Sequence, residues 1–316
     1  MNIGITASPR LSEKHLAELK KLGKVTIFLP TKDPEELYNY CKDQDILVVW
    51  NRFKSEIIPR LKKCKLMVVW ATGYDYIDIK ATTKMGIAVA NVPSYSTASV
   101  AEHVFTFILS LAKTLPEAHA SVKSGNWRQL DFRGIEIKDK TLGIIGCGEI
   151  GTEVAKLGKA FGMKILVYTK HPENHREWKC VSFETLLKES DFITLHVPAD
   201  KDTYHLINAK TLSLMKKTAF LVNTCRGSVI DENALYTALK NKQIAGAALD
   251  VFSPEPPSPD NPLFKLDNIL FTPHTAFYTH EAIERLNDMC IENVKAFLAG
   301  KPKNIVNKEA LNGRIS

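Results

Sequence analysis

The chain has 316 residues, 45% hydrophobic and 24% charged, with a formal net charge of +7. That length suits two domains whose cores need no disulfide or metal to hold them together. The basic residues are spread out, without runs or aromatic interleaving, which argues against a nucleic-acid partner and leaves a mildly positive field that suits anionic substrates. The longest apolar stretch, VFTFILSLA at 104–112, is too short to cross a bilayer, so no membrane association is expected. Cysteines stand at 41, 64, 147, 180, 225 and 290 and form no C-x-x-C pair, which leaves zinc and dithiol chemistry without support. Free thiols, and an N-terminus without a basic start followed by an apolar run, lead to the expectation of a cytoplasmic protein.

In chain order, short apolar runs come first: NIGIT, KVTIF, DILVVW, LMVVW and GIAVAN. Polar, helix-like stretches separate the earlier ones, such as LSEKHLAELKKLG at 11–23. Continuous apolar runs alternating with helices predict a parallel sheet covered on both faces. A long apolar helix is expected over 98–115, stopped or bent at Pro116. The pattern then restarts. TLGIIG, KILVYT, DFITLHV, TAFLVNT, QIAGAALDV and NILFTP predict six strands with helices between most of them. The proline-rich SPEPPSPDNP at 253–262 reads as a stiff loop. An amphipathic helix over 279–300 is expected to return to the first domain. The predicted fold is therefore α/β, with two doubly wound parallel-sheet domains, residues 1–97 plus 279–316 and residues 98–278.

Gly146, Gly148 and Gly151 in TLGIIGCGEIG match G-x-G-x-x-G. Three glycines alone fit mere turn geometry. Here they follow a strand and open a helix, and the strand at 164–168 completes a βαβ unit, which is the context of a dinucleotide pyrophosphate site. The helix N-terminus offers unpaired N–H groups and partial positive charge to phosphates. Such sites place an acid about 20 residues on to bond a ribose 2′-OH. Here Thr169, Lys170 and His171 fill that place, and the nearest downstream acid is Glu173, beyond Pro172. The missing acid removes a repulsion toward a 2′-phosphate, and one charge-assisted bond from Lys170 or His171 would add about 1.5–3 kcal/mol, unless both are solvated loop residues and either cofactor binds. NADP(H) is accordingly expected over NAD(H). Cys147 reads as a small filler in the loop.

Arg226 follows the strand in LVNTCRGSVIDE, Glu255 lies past the strand in ALDVFSPEP, and His274 follows the strand in ILFTPHTAFYT. Each has an ordinary structural explanation taken singly. Together they leave the sheet edge that carries the glycine loop, where ligands bind in open α/β sheets. An arginine fork suits a carboxylate, and a histidine backed by a carboxylate suits proton transfer. His171 and His175 are separated by Pro172 and lack companions, so no metal site is expected. His196 is expected to support a strand end, and His103 to be buried or at a dimer contact.

WATGYDYID (70–78), NVPSYSTASVAEH (91–103), TLGIIGCGEIG, LVNTCRGSVIDE, ALDVFSPEP and TPHTAFYT occur in this order, and with them nearly the whole chain resembles the D-isomer-specific 2-hydroxyacid dehydrogenases. The resemblance implies a flavodoxin-like substrate domain holding both termini and a Rossmann dinucleotide-binding domain, with the active site in the cleft. It also implies a homodimer held through the cofactor domains. It implies Arg226, Glu255 and His274 as the catalytic set, acting on a small anionic 2-oxo or 2-hydroxy acid. Backbone N–H groups at Thr72, Gly73 and Tyr74 would bind the substrate carboxylate. Cofactor contacts carried over are Thr97, Glu149, Ile150, Val197, Pro198, Thr203, Thr224, Cys225 and Asp250, the last near the nicotinamide amide. They join Gly146, Gly148, Gly151, Thr169, Lys170, Arg226 and His274.

The chain departs from the family's common NVPGYST by having Ser94. Trp50, Phe53, Tyr74, Tyr95 and Tyr278 are candidates to narrow the pocket, or equally to fill a core. NVPSYST with SGNWRQLDF resembles the glyoxylate/hydroxypyruvate reductase branch, whereas PHTAFYT is similar to D-lactate dehydrogenases. Reduction of glyoxylate or hydroxypyruvate is the expected activity, with D-lactate/pyruvate as the alternative. A dinucleotide-sensing, corepressor-like binding protein is the alternative of another class.

Overall fold

A computed structural model describes residues 1–6, 11–50, 53 and 55–311. The chain divides into two compact units, Met1–Ser96 with Thr279–Ser316, and Thr97–Tyr278. Thr97, which the sequence reading put at the end of the first domain, opens a helix of the second unit.

The first unit runs β1 (Asn2–Thr6), α1 (Glu13–Leu22), β2 (Lys24–Ile27), α2 (Pro34–Cys41), β3 (Ile46–Val49), β4 (Leu66–Val69), α3 (Ile79–Lys84) and β5 (Ala88–Ala90). Its five strands are all parallel in the order β2-β1-β3-β4-β5, the flavodoxin-like arrangement. ILVV of β3 and LMVV of β4 are buried throughout, as a strand covered on both faces requires.

The second unit starts with α4 (Thr97–Lys113) and α5 (Leu115–Lys123). The helix expected over 98–115, with a stop or bend at Pro116, runs Thr97–Lys113, and α5 follows it at an angle of 65°. The break is Thr114, whose φ of 48° is left-handed, and Pro116 falls in the first turn of α5, where its missing N–H costs nothing. Then follow β6 (Thr141–Ile145), α6 (Glu149–Ala160), β7 (Lys164–Tyr168), β8 (Lys179–Cys180), α7 (Phe183–Glu189), β9 (Phe192–Leu195), α8 (Ala209–Leu212), β10 (Phe220–Asn223), α9 (Glu232–Lys240), β11 (Gly246–Leu249) and β12 (Ile269–Phe271). The sheet has seven strands, ordered β12-β11-β10-β9-β6-β7-β8, rather than the six expected. The extra strand, β8, is two residues on the sheet edge, too short to leave an apolar pattern. The strand order reverses between β6 and β9, the switch point beside which dinucleotides bind in doubly wound folds.

The chain then returns to the first unit through α10 (His280–Leu298). Thr279 caps it by accepting from Ala282 N–H. Its apolar face buries Leu286, Cys290, Ile291 and Val294. Polar pins fix its register: Trp70 Nε1 donates to Asn287 Oδ1 at 2.8 Å, Arg285 Nε to the Tyr95 carbonyl at 2.8 Å, and Asn293 Nδ2 to the Asn91 carbonyl at 2.9 Å. Among the described residues no single helix is long and apolar enough to cross a membrane.

Candidate active site

Because the second sheet is wholly parallel, every strand delivers its following loop to one edge. β6 delivers the glycine loop. Gly146 has a φ of 92°, and a Cβ there would stand 2.4 Å from the His196 carbonyl oxygen, so only glycine fits between β6 and the loop after β9. A Cβ on Gly151 would lie 2.2 Å from the Gly146 oxygen, so the loop and α6 close on each other there. A Cβ on Gly148 would meet nothing within 4 Å. The loop is tight where it packs on protein and open where α6 begins, the shape of a phosphate cradle. Glu149 stands exposed at the first turn of α6, and Ile150 packs on the core behind the loop. Cys147 is buried, as a filler would be, and burial pushes its thiol up.

Around the cradle, Val197 and Pro198 leave the end of β9, and Thr203 closes their loop from within. Its hydroxyl donates to the Pro198 carbonyl at 2.6 Å and its N–H to Asp200 Oδ1 at 3.0 Å. Thr224 and Cys225 leave β10; the Thr224 hydroxyl is buried and has no hydrogen-bond partner among the described residues. An orphaned hydroxyl at a strand end beside the switch point is what a polar cofactor group would satisfy. The donors, the glycine cradle and this hydroxyl fit a dinucleotide. Burial pushes His196 down to about 3, so it stays neutral, and its ring bonds Thr194 at 3.0 Å. At the end of β7, Thr169 is half-buried and Lys170 exposed. Lys170 is paired: its Nζ lies 3.0 Å from Asp202 Oδ2, in the loop after β9. His171 Nδ1 lies 3.3 Å from Glu173 Oε1.

The three reactive candidates arise from neighbouring loops. Gly227 explains how the first two meet. A Cβ there would sit 2.0 Å from the Phe252 carbonyl carbon, so the absence of a side chain lets the loop after β10 lie against the loop after β11. Arg226, just before that contact, donates from Nη1 to the Cys225 carbonyl at 2.7 Å. Glu255, just beyond it, accepts from Phe252 N–H at 3.0 Å through Oε1 and faces His274 Nδ1 at 2.7 Å through Oε2. Partial burial raises the Glu255 carboxyl, but the His274 bond and charge, the Phe252 N–H and the Arg226 charge outweigh it and hold it below its ordinary value. It is therefore ionised near neutral pH. That arrangement leaves Nε2 as the ring nitrogen turned from the carboxylate.

His274 has a left-handed φ of 54°, a strained backbone that its surroundings must enforce. Asp250 enforces it. This carboxylate is 1% exposed and accepts from Thr275 N–H at 2.8 Å, Ala276 N–H at 3.0 Å and the Thr272 hydroxyl. Its main-chain carbonyl accepts the His274 N–H at 2.8 Å. Thr272 has one proton, given to Asp250, so the 3.0 Å bond to His103 Nε2 is donated by the histidine. His103, whose neighbourhood the sequence left open, thus buttresses the turn that carries His274.

Residues 105–276 match the family described as D-isomer specific 2-hydroxyacid dehydrogenase, NAD binding domain. A glyoxylate reductase of Thermococcus litoralis is 43% identical, with 96% of each chain covered. The chain belongs to that family. It is an NAD(P)-dependent oxidoreductase acting on the CH–OH group of 2-hydroxy acids. Solved relatives include an acyclic imino acid reductase in complex with NADPH and D-Arg, 36% identical with a TM-score of 0.92, covering 97% of this chain and 100% of that one. Another is the D-lactate dehydrogenase of Aquifex aeolicus complexed with NAD and lactic acid, 36% identical, TM-score 0.85, covering 99% and 98%.

In the first unit of this dehydrogenase, Thr72, Gly73 and Tyr74 follow β4. The Thr72 hydroxyl donates to the Val92 carbonyl at 2.8 Å, and its own carbonyl accepts from Asn91 Nδ2 at 2.8 Å, which ties the segment to the loop after β5. The aromatic set splits. Phe53 and Tyr95 are buried, whereas Trp50, Tyr74 and Tyr278 keep more than a third of their surface exposed. Ser94, where family members commonly carry glycine, has a left-handed φ of 65°, the conformation glycine tolerates best. Among the described residues no group of three or more His, Cys, Asp or Glu side chains is arranged to hold a metal.

Sequence reasoning missed Glu232, Asn261 and Thr272. Glu232 accepts from Ser253 N–H at 2.8 Å and Asn261 Nδ2 at 2.9 Å, and so anchors the loop that presents Glu255. Its only signal was an acid in the first turn of a helix, which is ordinary there.

Proposed function

We propose that the enzyme reduces a small 2-oxo acid, glyoxylate or hydroxypyruvate, to its 2-hydroxy acid, with NADP(H) favoured over NAD(H). The observation that carries this reading is the 2.7 Å pairing of His274 Nδ1 with Glu255, with the charge of Arg226 acting on the same carboxylate. Arg226 offers a planar fork of donors to the substrate carboxylate and the neighbouring carbonyl oxygen. His274 gives the proton at Nε2 to that carbonyl oxygen and takes one back in oxidation. Glu255 fixes the ring through Nδ1. Backbone N–H groups of Thr72, Gly73 and Tyr74 are a second set of carboxylate donors. The dinucleotide, when bound, supplies or accepts the hydride.

Gly146, Gly148, Gly151 and the first turn of α6 at Glu149 and Ile150 hold the pyrophosphate in this reading. Thr169 and Lys170 take the adenosine ribose. Thr97, Val197, Pro198, Thr203, Thr224, Cys225, Arg226, Asp250 and His274 line the rest, with Asp250 near the nicotinamide amide. The NADP(H) preference rests on the lack of an acid directly after β7, and the imino acid reductase relative holds NADPH. The glyoxylate reductase relative supports the substrate class. PHTAFYT at 273–279 and the Aquifex aeolicus relative favour D-lactate/pyruvate as a second reading. A homodimer through the second unit is also proposed, supported by Trp127 and Leu130, which are 82% and 89% exposed.

A panel of glyoxylate, hydroxypyruvate and pyruvate, each with NADPH and NADH, tests the substrate and cofactor. Highest kcat/KM on glyoxylate or hydroxypyruvate with NADPH is expected. Highest kcat/KM on pyruvate moves the assignment to the second reading, and a large NADH preference overturns the cofactor choice. Size-exclusion chromatography with light scattering checks the dimer.

A further inference from the structure

The β7 end lacks an acid in sequence, but the fold brings one to it. Lys170 lies two residues past β7, and Asp202 lies in the loop after β9. In the sheet, β6 separates those strands, and β6 is the strand that runs into the glycine loop. The 3.0 Å Lys170–Asp202 pair therefore reaches across the carboxyl end of β6, from one side of the cradle to the other. Both side chains are more than half exposed, so a ligand can compete for either.

Asp202 is not on a loose tether. Its N–H donates to Asp200 Oδ1 at 2.8 Å, and the same oxygen accepts from Thr203 N–H at 3.0 Å. Thr203 in turn closes onto the Pro198 carbonyl at 2.6 Å. The β9 loop thus holds Asp202 in a fixed turn facing Lys170. His171, next to Lys170 in the chain, also faces an acid, Glu173.

We propose that Asp202 is a cofactor-discriminating residue: an acid supplied from the β9 side that competes with a ribose 2′-phosphate for Lys170. This rests on the reading of Lys170 as the 2′-phosphate partner and refines it. A 2′-phosphate must share the ammonium with Asp202 or displace it, and in either case lie beside its carboxylate. A plain 2′-hydroxyl meets no such opposition. The pair accordingly tempers the preference that the sequence at β7 alone implies, and the chain can use both dinucleotides.

The test measures binding of cofactor fragments by titration calorimetry, adenosine 2′,5′-bisphosphate against 5′-AMP, on the wild type, Asp202→Asn and Lys170→Gln. Asp202→Asn is expected to tighten the bisphosphate about three- to tenfold, shrinking in 0.5 M salt, with 5′-AMP within about twofold. Asp202→Glu should restore wild-type selectivity. No gain in Asp202→Asn, or an equal gain for both ligands, overturns the proposal. Lys170→Gln separates the underlying reading. Loss of bisphosphate affinity there, with no gain in Asp202→Asn, sinks the role of Asp202 alone. Unchanged bisphosphate affinity in Lys170→Gln sinks the assignment of Lys170 and the proposal with it.

Discussion

Glu255→Gln isolates the charge behind His274. Glutamine keeps the shape and an acceptor oxygen for the Phe252 N–H, so the loop should stay in place. What it removes is the attraction between a carboxylate and a protonated imidazole across a 2.7 Å contact. Two unit charges about 4 Å apart attract by about 4 kcal/mol at an effective dielectric of 20, and by about 1 kcal/mol in bulk water. His274 is 42% and Glu255 35% exposed, so solvent screens part of this and the lower half of that range applies. A loss of about 1–2.5 kcal/mol corresponds to a drop in kcat/KM of about five- to seventyfold. The assay is oxidation of NADPH on glyoxylate between pH 5.5 and 8, with dinucleotide affinity measured separately. Cofactor affinity should hold within about threefold, since Glu255 acts on the ring and not on the phosphates. Activity within about twofold of wild type across that range would refute the role given to this carboxylate. Stability gives a second check. The folded-state carboxyl of Glu255 is depressed, so its contribution is present above its unfolded value near 4.5 and disappears as pH falls through the folded value. The variant should be less stable than wild type at pH 7, and the difference should vanish in strong acid.

His196 is held neutral down to about 3, while an unfolded histidine titrates near 6.5. Protons therefore favour the unfolded chain below 6.5, and wild type should lose about 2 kcal/mol more than His196→Gln between pH 7 and pH 5, read by urea unfolding. Gly227→Ala forces a methyl to within 2.0 Å of the Phe252 backbone. It should destabilise by about 3 kcal/mol and separate Arg226 from Glu255, so turnover falls even in protein that remains folded. Thr114→Gly relieves a β-branched residue at a φ of 48°. After the entropy glycine adds to the unfolded chain, a gain of about 0.5–1 kcal/mol should remain, visible as a Tm rise of about 2 °C.

The sequence by itself determined which segments are strands and helices and what chemistry they carry. Runs such as LMVV and ILVV are apolar on both sides because their strands are covered on both faces, and that leaves a mark in every residue. Gly146 and Gly151 are legible because backbone contacts exclude any side chain, and Arg226, Glu255 and His274 because each directly follows or lies just past a strand. Only the tertiary structure decided which groups answer one another. Asp202 meets Lys170 across β6, Asp250 and His103 hold the turn of His274, and Glu232 fixes the loop of Glu255. The two-residue β8 was invisible for a related reason, and the helix break at Thr114 falls two residues before the bend expected at Pro116. Periodicity reports burial along one element. A charge pair or a buttress depends on the distance between elements, which the order of strands in the sheet sets and the order of residues in the chain does not.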